Sequence, residues 1–339
     1  MKRSVSRLDE LDMEILSALQ RLGGKVSTEV LGEVLNRPAR TIRYRLSRLK
    51  KSGYLKYVYA MTHDRKIGLG DAMIVLNLAE GVSYIGALFV DLPMIYLYGS
   101  TYGKYNGHLI HMSYPLSRPD TPKEFVETLR DSGLITDAYV FNIVDFQSIA
   151  GSPEILDTSG NWHWDWQRWG QSCLERIRED RRVRVDLQLD VPLCKFDGRD
   201  IALLRQLKSD ASTTLRDLGD LTGLSPSQVN ARIKRMEREE VIKGYRWILR
   251  DTEFPVHVYI FFEADGLDDP VLSCLMAVPF PREIGAESEN RFTIHVKIYP
   301  SDLVDFFRAF DMVRGKLHSM MVQICLLYTS DAADEGLGV

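Results

Sequence analysis

The stretch "LDELDMEILSAL" that begins at Leu8 recurs as "FDGRDIALLRQL" at Phe196, and this internal repeat constrains the fold more than any other feature. Further on, "VLGEVLNRPARTIRYRLSRLKKSGYL" from Val30 aligns with "DLGDLTGLSPSQVNARIKRMEREEVI" from Asp217. Gly32 then meets Gly219, Arg45 meets Arg232 and Arg48 meets Arg235. The apolar positions Leu31, Ile42, Leu46, Leu49 and Leu55 meet Leu218, Val229, Ile233, Met236 and Ile242. An apolar frame repeated at one spacing means a single supersecondary unit used twice. The offset is 188 at the first helix and 187 afterwards, so one residue of slippage falls between the first two helices. The length agrees, because 339 residues exceed one ordinary core and suggest about two to four domains.

Each copy reads as three short helices followed by extended structure. Leu8, Leu11, Ile15, Leu19 and Leu22 fall at three- and four-residue steps, the signature of an amphipathic helix. A second helix is expected over about 27–35 and a third over about 39–52, with Ile42, Leu46 and Leu49 inward. In the second copy Ser225, Pro226 and Gln228 make a capping-box start for the third helix. The following "YLKYVYA" and "VIKGYRWIL" are aromatic and β-branched and are expected to pair as a small wing.

The segments after the helices also repeat. Strands are expected at 72–78, 94–101, 107–114 and 136–146, with helices at 82–92 and 122–131. In the second copy, strands at 256–264, 291–299 and 317–324 and a helix at 301–314 follow the same order, a ferredoxin-like βαββαβ arrangement. The fold class is therefore α+β, with two winged helix-turn-helix domains each followed by a ferredoxin-like domain. The expected boundaries are 1–66 and 67–150 for the first copy, a Trp-rich inter-repeat segment at 151–195, and 196–254 and 255–324 for the second.

Charge is unevenly divided along the chain. The whole carries a formal −4, yet residues 1–66 hold 15 basic and 7 acidic side chains. Within them, "RPARTIRYRLSRLKKSGYLK" from Arg37 to Lys56 has eight Lys or Arg and no acid. A solvated helix face would interleave acids, as "RIREDRRVRVD" does from Arg176; an acid-free third helix of a helix-turn-helix pattern points to duplex DNA. With Ile42, Leu46 and Leu49 inward, Arg40, Thr41, Arg43 and Tyr44 are the candidates for base contact. Ser47 completes the outward set, and Arg37, Arg45, Arg48, Lys50, Lys51 and Lys56 are placed to grip phosphates. Arg45 and Arg48 carry a second reading, since their counterparts persist in the less basic copy: pairing with acids on the first helix. The second third helix is offset by Glu237, Glu239 and Glu240, so the N-terminal unit is expected to be the main reader.

These third helices, together with "LDELDMEIL", resemble the Lrp/AsnC (feast/famine) transcription regulators over about 8–146 and again 196–324. The resemblance implies DNA binding without cofactor or metal, a second domain that dimerises and senses a small effector, and a homo-oligomer or intrachain pseudo-dimer. Gly53 keeps the family's glycine before the last apolar pair, while Glu240 replaces it. Gly103, Tyr105 and Asn106 approximate the family's effector turn, and "AESENRF" in the second copy does not. Some Lrp-like proteins are sirohaem decarboxylases built on paired or fused units, which supplies the alternative reading, a fused enzyme of that kind. A third reading is a ligand-binding module without DNA binding.

Other features weigh less. Trp162, Trp164 and Trp166 in "NWHWDWQRWGQ" either line an effector pocket or staple the segment by burial. His111 and His295, in "LIHMSYP" and "TIHVKIYP", read as satisfied strand histidines. Cys173, Cys194, Cys274 and Cys325 lack metal-ligand spacing and suit free thiols in a reducing cytoplasm. No apolar run reaches the roughly 20 residues of a membrane span, and the N-terminus has no secretory apolar region. "GLG" at Gly68 and "GGK" at Gly23 lack phosphate-loop context. "CLLYTSDAADE" from Cys325 resembles the translation of a transposase-adapter sequence used in DNA library preparation. Residues 325–339 are therefore expected to be a poorly packed, non-native tail.

Overall fold

A computed structural model describes residues 8–149, 151, 164–249 and 256–329. The first repeat opens with α1 (Glu10–Leu22), α2 (Thr28–Val34), α3 (Ala39–Lys51) and β1 (Leu55–Thr62), then β2 (Leu69–Leu78), α4 (Ala87–Val90), β3 (Ile95–Gly103), β4 (Gly107–Pro115), α5 (Thr121–Asp131), β5 (Ile135–Ile143) and β6 (Asp145–Ile149). After α6 (Trp166–Arg178), the second has α7 (Gly198–Ser209), α8 (Leu215–Thr222), α9 (Pro226–Arg238), β7 (Ile242–Leu249), β8 (Val256–Glu263), α10 (Pro270–Met276), β9 (Arg282–Ala286), β10 (Arg291–Ile298), α11 (Leu303–Arg314) and β11 (His318–Thr329). The chain divides into a helical unit (1–67, 150–164, 192–253) and a sheet unit (68–149, 165–191, 254–339). The inter-repeat segment is thus shared between the two rather than forming a body of its own.

In the helical unit each first helix starts on a reciprocal cap. Asp9 accepts from the Asp12 N–H while Asp12 accepts from that of Asp9, and Asp197 and Asp200 do the same. Leu8, Ile15, Leu16, Leu19, Leu31, Ile42, Leu49 and Leu55 form one core. Leu22, expected on the buried face, is 40% exposed, because Leu16 and Ala18 take the inward positions of the last two turns. At Gly32 and Gly219 an added Cβ would sit 2.6 Å and 2.5 Å from the carbonyl oxygens of Arg37 and Leu224, so the second and third helices meet only over glycine. Gly53 ends the first unit at φ 78°, and Glu240 adopts φ 55° at the matching place. β1 pairs antiparallel with β7, so the expected wing is one ribbon built from both copies.

The sheet unit is nine strands in the order β5-β2-β4-β3-β11-β8-β10-β9-β6. Each half keeps the 4-1-3-2 strand order of a ferredoxin-like domain. The fourth strand of the second half, β11, runs on to pair with β3, the second strand of the first half, and β6, the strand that follows β5, pairs with β9, the second strand of the second half. Met73, Val75, Leu109, Phe141, Tyr259, Phe261, Met321 and Cys325 fill the space between the halves. Against the outer face of the first half, Ile85, Phe89, Val126 and Leu129 pack on Ile74, Leu76 and Ile110.

Several expectations need correction. The helix expected at 82–92 is only α4, since Gly81 takes φ 81° and Pro93 closes the far end. The strand expected to stop at Ile324 continues to Thr329, and Cys325, placed by composition in a loose tail, is fully buried with Sγ 3.1 Å from Thr101 Oγ1. Residues 330–339 of that tail, and Trp162, lie outside the described residues. The tryptophan segment contains α6, N-capped by Asp165. Trp166 and Trp169 are buried among Phe280 and Phe306, and their indole N–H groups donate to Asp302 at 2.8 Å and to the Cys274 carbonyl at 3.3 Å. Trp166 is therefore a staple within the sheet unit, not a pocket wall. Trp166→Ala is expected to lower the unfolding free energy by about 3–5 kcal/mol, read from urea denaturation.

His111 and His295 are both interior, at 8% exposure. His111 lies 3.4 Å from the hydroxyls of Tyr96 and Tyr259, and His295 Nε2 is 2.8 Å from His257 Nδ1, while the Tyr259 and His295 rings stack at 4.2 Å. Burial pushes His111 from its ordinary 6.5 down to about 4; the Glu283 carboxylate pulls it up and His295 pushes it further down. The unfolded chain then takes up a proton that the folded chain refuses. Stability contributed by a neutral His111 is full above pH 6.5 and declines as pH falls toward 4. His111→Gln is expected to flatten this part of the profile, measured as urea midpoints across that range. An unchanged slope would contradict it.

Candidate nucleic-acid interface

The outward surface of α3 follows from the inward one. With Ile42 and Leu49 fully buried and Leu46 partly so, helical spacing leaves Arg40, Arg43, Tyr44, Ser47, Lys50 and Lys51 exposed, with Thr41 half-buried at the edge. Tyr44 stands 67% exposed, an unusual place for a large ring unless a partner covers it. Arg37 before the helix and Lys56 on β1 are exposed as well. Arg43 reaches Thr28 Oγ1 at 3.3 Å and Glu29 at 3.2 Å, a pair whose side chains are both more than half exposed and which is weakly held. The Lys50 ammonium lies 4.8 Å from the Trp247 ring centroid. No acid lies in the first turn of α3, and Arg48, Lys50 and Lys51 crowd its last turn, where they complement the helix dipole.

Arg45 and Arg48 belong elsewhere. Arg45 bonds to Asp9 and, at 3.3 Å, to Asp12; Arg48 bonds to Asp12 and lies 3.5 Å from Asp9. Asp12 is fully buried. The second copy repeats the arrangement: Arg232 bonds to Asp197 at 2.9 Å and Asp200 at 2.8 Å, and Arg235 to Asp200 at 2.6 Å. Of the two readings that the sequence left open for these arginines, the first-helix acids of one are in place in both copies. The Asp9 carboxyl is held below its usual range, burial opposing and the Arg45 bond outweighing it. Arg45→Ala is expected to cost about 1.5–3 kcal/mol of stability, since the buried Asp12 keeps only Arg48 as a cationic partner. It should leave the salt dependence of DNA binding unchanged, whereas a phosphate contact would lower that dependence by about one unit.

The recognition face of α9 differs in chemistry. Its buried row is Val229, Ile233 and Met236, and Ser227, Ala231, Lys234, Glu237 and Arg238 are exposed, with Asn230 at the margin. Gln228 is spent on the cap, accepting from the Ser225 N–H at 2.9 Å. Sequence reasoning, drawn to the charge run, passed over Asn230.

The expected effector turn sits in the sheet unit. Gly103 ends β3 at φ 150°, Tyr105 is buried, and the Asn106 N–H donates to Asn77 at 3.0 Å. Gln323 of β11, itself fully buried, accepts from the Tyr105 N–H at 3.1 Å and donates to the Tyr105 carbonyl at 2.9 Å and to Thr101 at 3.0 Å. A Cβ on Gly103 would come within 2.6 Å of its oxygen. The three residues are brought together, and a side chain of the protein closes the turn.

The winged helix-turn-helix DNA-binding family matches residues 8–56 and 196–243. An uncharacterized HTH-type transcriptional regulator of Pyrococcus abyssi is 39% identical over 59 residues, 17% of this chain and 37% of that protein. The leucine-responsive regulatory protein of Haemophilus influenzae is 39% identical over 54 residues, 16% of this chain and 32% of that one. The chain thus spans about a third of the length of these curated relatives. The siroheme decarboxylase NirDL, solved with an iron-uroporphyrin III analogue, superposes with a TM-score of 0.54 at 11% identity over 94% of this chain and 91% of that one. That likeness is one of fold. The protein carries two winged helix-turn-helix domains, repeated in tandem. Among the described residues no helix is long and apolar enough to cross a membrane, and no group of His, Cys, Asp and Glu could hold a metal ion.

Proposed function

We propose that the chain is a sequence-specific, DNA-binding transcription regulator of Lrp/AsnC type that reads duplex DNA mainly through α3. The observation that carries this reading is the outward face of α3, where Arg40, Arg43, Tyr44, Lys50 and Lys51 are exposed while the apolar and structural residues face away. Exposed cations attract the phosphates; Arg40 and Arg43 near the N-terminal end hold forked donors suited to guanine edges. A regulator of this kind works in the cytoplasm, where the DNA is. Small-effector control would have to enter other than at the Gly103–Asn106 turn, which Gln323 fills.

A second reading, a tetrapyrrole decarboxylase on the same fold, draws on the interior group of His111, His257 and His295 in the sheet unit. Nothing in that reading calls for the acid-free face of α3. Anisotropy titration with duplex DNA tests both. The pair Arg40→Ala with Arg43→Ala is expected to weaken binding at least tenfold, and Lys234→Ala with Arg238→Ala by only a few-fold. Equal losses would refute the assignment to α3. Absence of DNA binding, together with a visible absorbance change on adding an iron tetrapyrrole, would favour the enzyme.

A further inference from the structure

We infer that one chain binds, as a single molecule, an inverted pair of unlike half-sites, with α3 on one and α9 on the other. The inference rests on the DNA-reading function proposed above and names the form of its DNA partner.

The symmetry is written in the β1–β7 ribbon. Tyr59 pairs with Arg246, and under the repeat alignment Arg246 is the counterpart of Tyr59 itself. On either side Val58 pairs with Trp247, the counterpart of Ala60, and Ala60 with Tyr245, the counterpart of Val58. An antiparallel strand paired to its own equivalent has a local twofold axis through the self-paired residue, as at an isologous dimer interface. Two reciprocal hydrogen bonds obey the same axis. The Gly24 N–H donates to the Tyr245 carbonyl at 2.7 Å, and the Ala211 N–H donates to the Val58 carbonyl at 2.6 Å. Gly24 and Ala211 each stand three residues before the caps of the second helices, Ser27 and Thr214.

The two helix-turn-helix units are therefore disposed as a dimer would be, within one chain. Duplex DNA has its own twofold axes, and a symmetric pair of recognition helices meets inverted half-sites. The partners need not be identical here, because the matching positions differ. Arg40 faces the place of Ser227, Arg43 that of Asn230, Tyr44 that of Ala231 and Ser47 that of Lys234. Arg forks onto guanine and Asn onto adenine, so Arg43 and Asn230 set unlike preferences at equivalent steps. An operator read this way has a direction, and the chain lies on it in one orientation only.

The test selects bound fragments from random duplex DNA with the full chain, then footprints the winners with variants. The expected result is two inverted half-sites of unequal conservation, protected by one chain. Arg43→Ala should erase preference in the stronger half-site alone and lower affinity about tenfold, and Asn230→Ala should erase it in the weaker alone and lower affinity only a few-fold. Asn230→Arg should shift the weaker half-site toward guanine and make the selected sequence more nearly palindromic. Arg43 is exposed and Asn230 lies at the margin of the exposed face, and unchanged circular dichroism would show that the variants fold. A single enriched half-site indifferent to both Asn230 variants would overturn the inference while leaving DNA reading by α3 intact. So would a perfect palindrome covered by two chains. Selection that enriches nothing would reject the DNA-reading function together with this form of it.

Discussion

A carboxylate with no access to water, Asp12, is held by two arginines of the third helix, and the arrangement, which sets the outward face of that helix, is repeated at Asp200. A buried carboxylate is costly unless it is paired and hydrogen-bonded, so the first and third helices cannot slide or rotate against each other without stranding it. The same residue closes the cap of its own helix by accepting from the Asp9 N–H at 3.1 Å. Helix start, helix packing and the aim of the recognition face are therefore fixed at one point. With Arg45 and Arg48 turned inward, the remaining cations of α3 form the outward surface.

Much of this was legible in the sequence because the signals are local. Apolar residues at helical spacing marked the third helices, and Ser225 with Gln228 marked one start. The structural role of Arg45 and Arg48 was legible only by comparison of the copies: these two cations persist where Arg40, Arg43 and Lys50 give way to Ser227, Asn230 and Glu237. Short elements escaped. α10 and β9, seven and five residues long, are too short for a period to declare itself, and α4, expected over 82–92, is only four residues long. The last strand was misjudged because the likeness of "CLLYTSDAADE" to an adapter outweighed its alternation. Met321, Gln323 and Cys325 all face inward, the period of two that a strand requires.

The sheet unit solves with one chain what two ferredoxin-like domains otherwise solve by dimerising. Each half would leave an open edge at its second strand, and β11 covers that of the first half while β6 covers that of the second. Gln323 shows the consequence for chemistry. It lies on the strand that crosses between the halves, and its amide satisfies the backbone of the Gly103–Asn106 turn, so joining the halves and filling the turn are the same contact. Asn230 lay unnoticed for a related reason: its meaning depends on the ribbon, a pairing between residues far apart in sequence.

The central claim is that an acid-free helix face docks on the phosphates of duplex DNA. The most direct measurement is the affinity of the full chain for one duplex as monovalent salt is raised. Contacts from Arg37, Arg40, Arg43, Lys50, Lys51 and Lys56 would give a linear fall of log K against log salt with a slope of about −5. A slope near zero, at any affinity, would contradict the account.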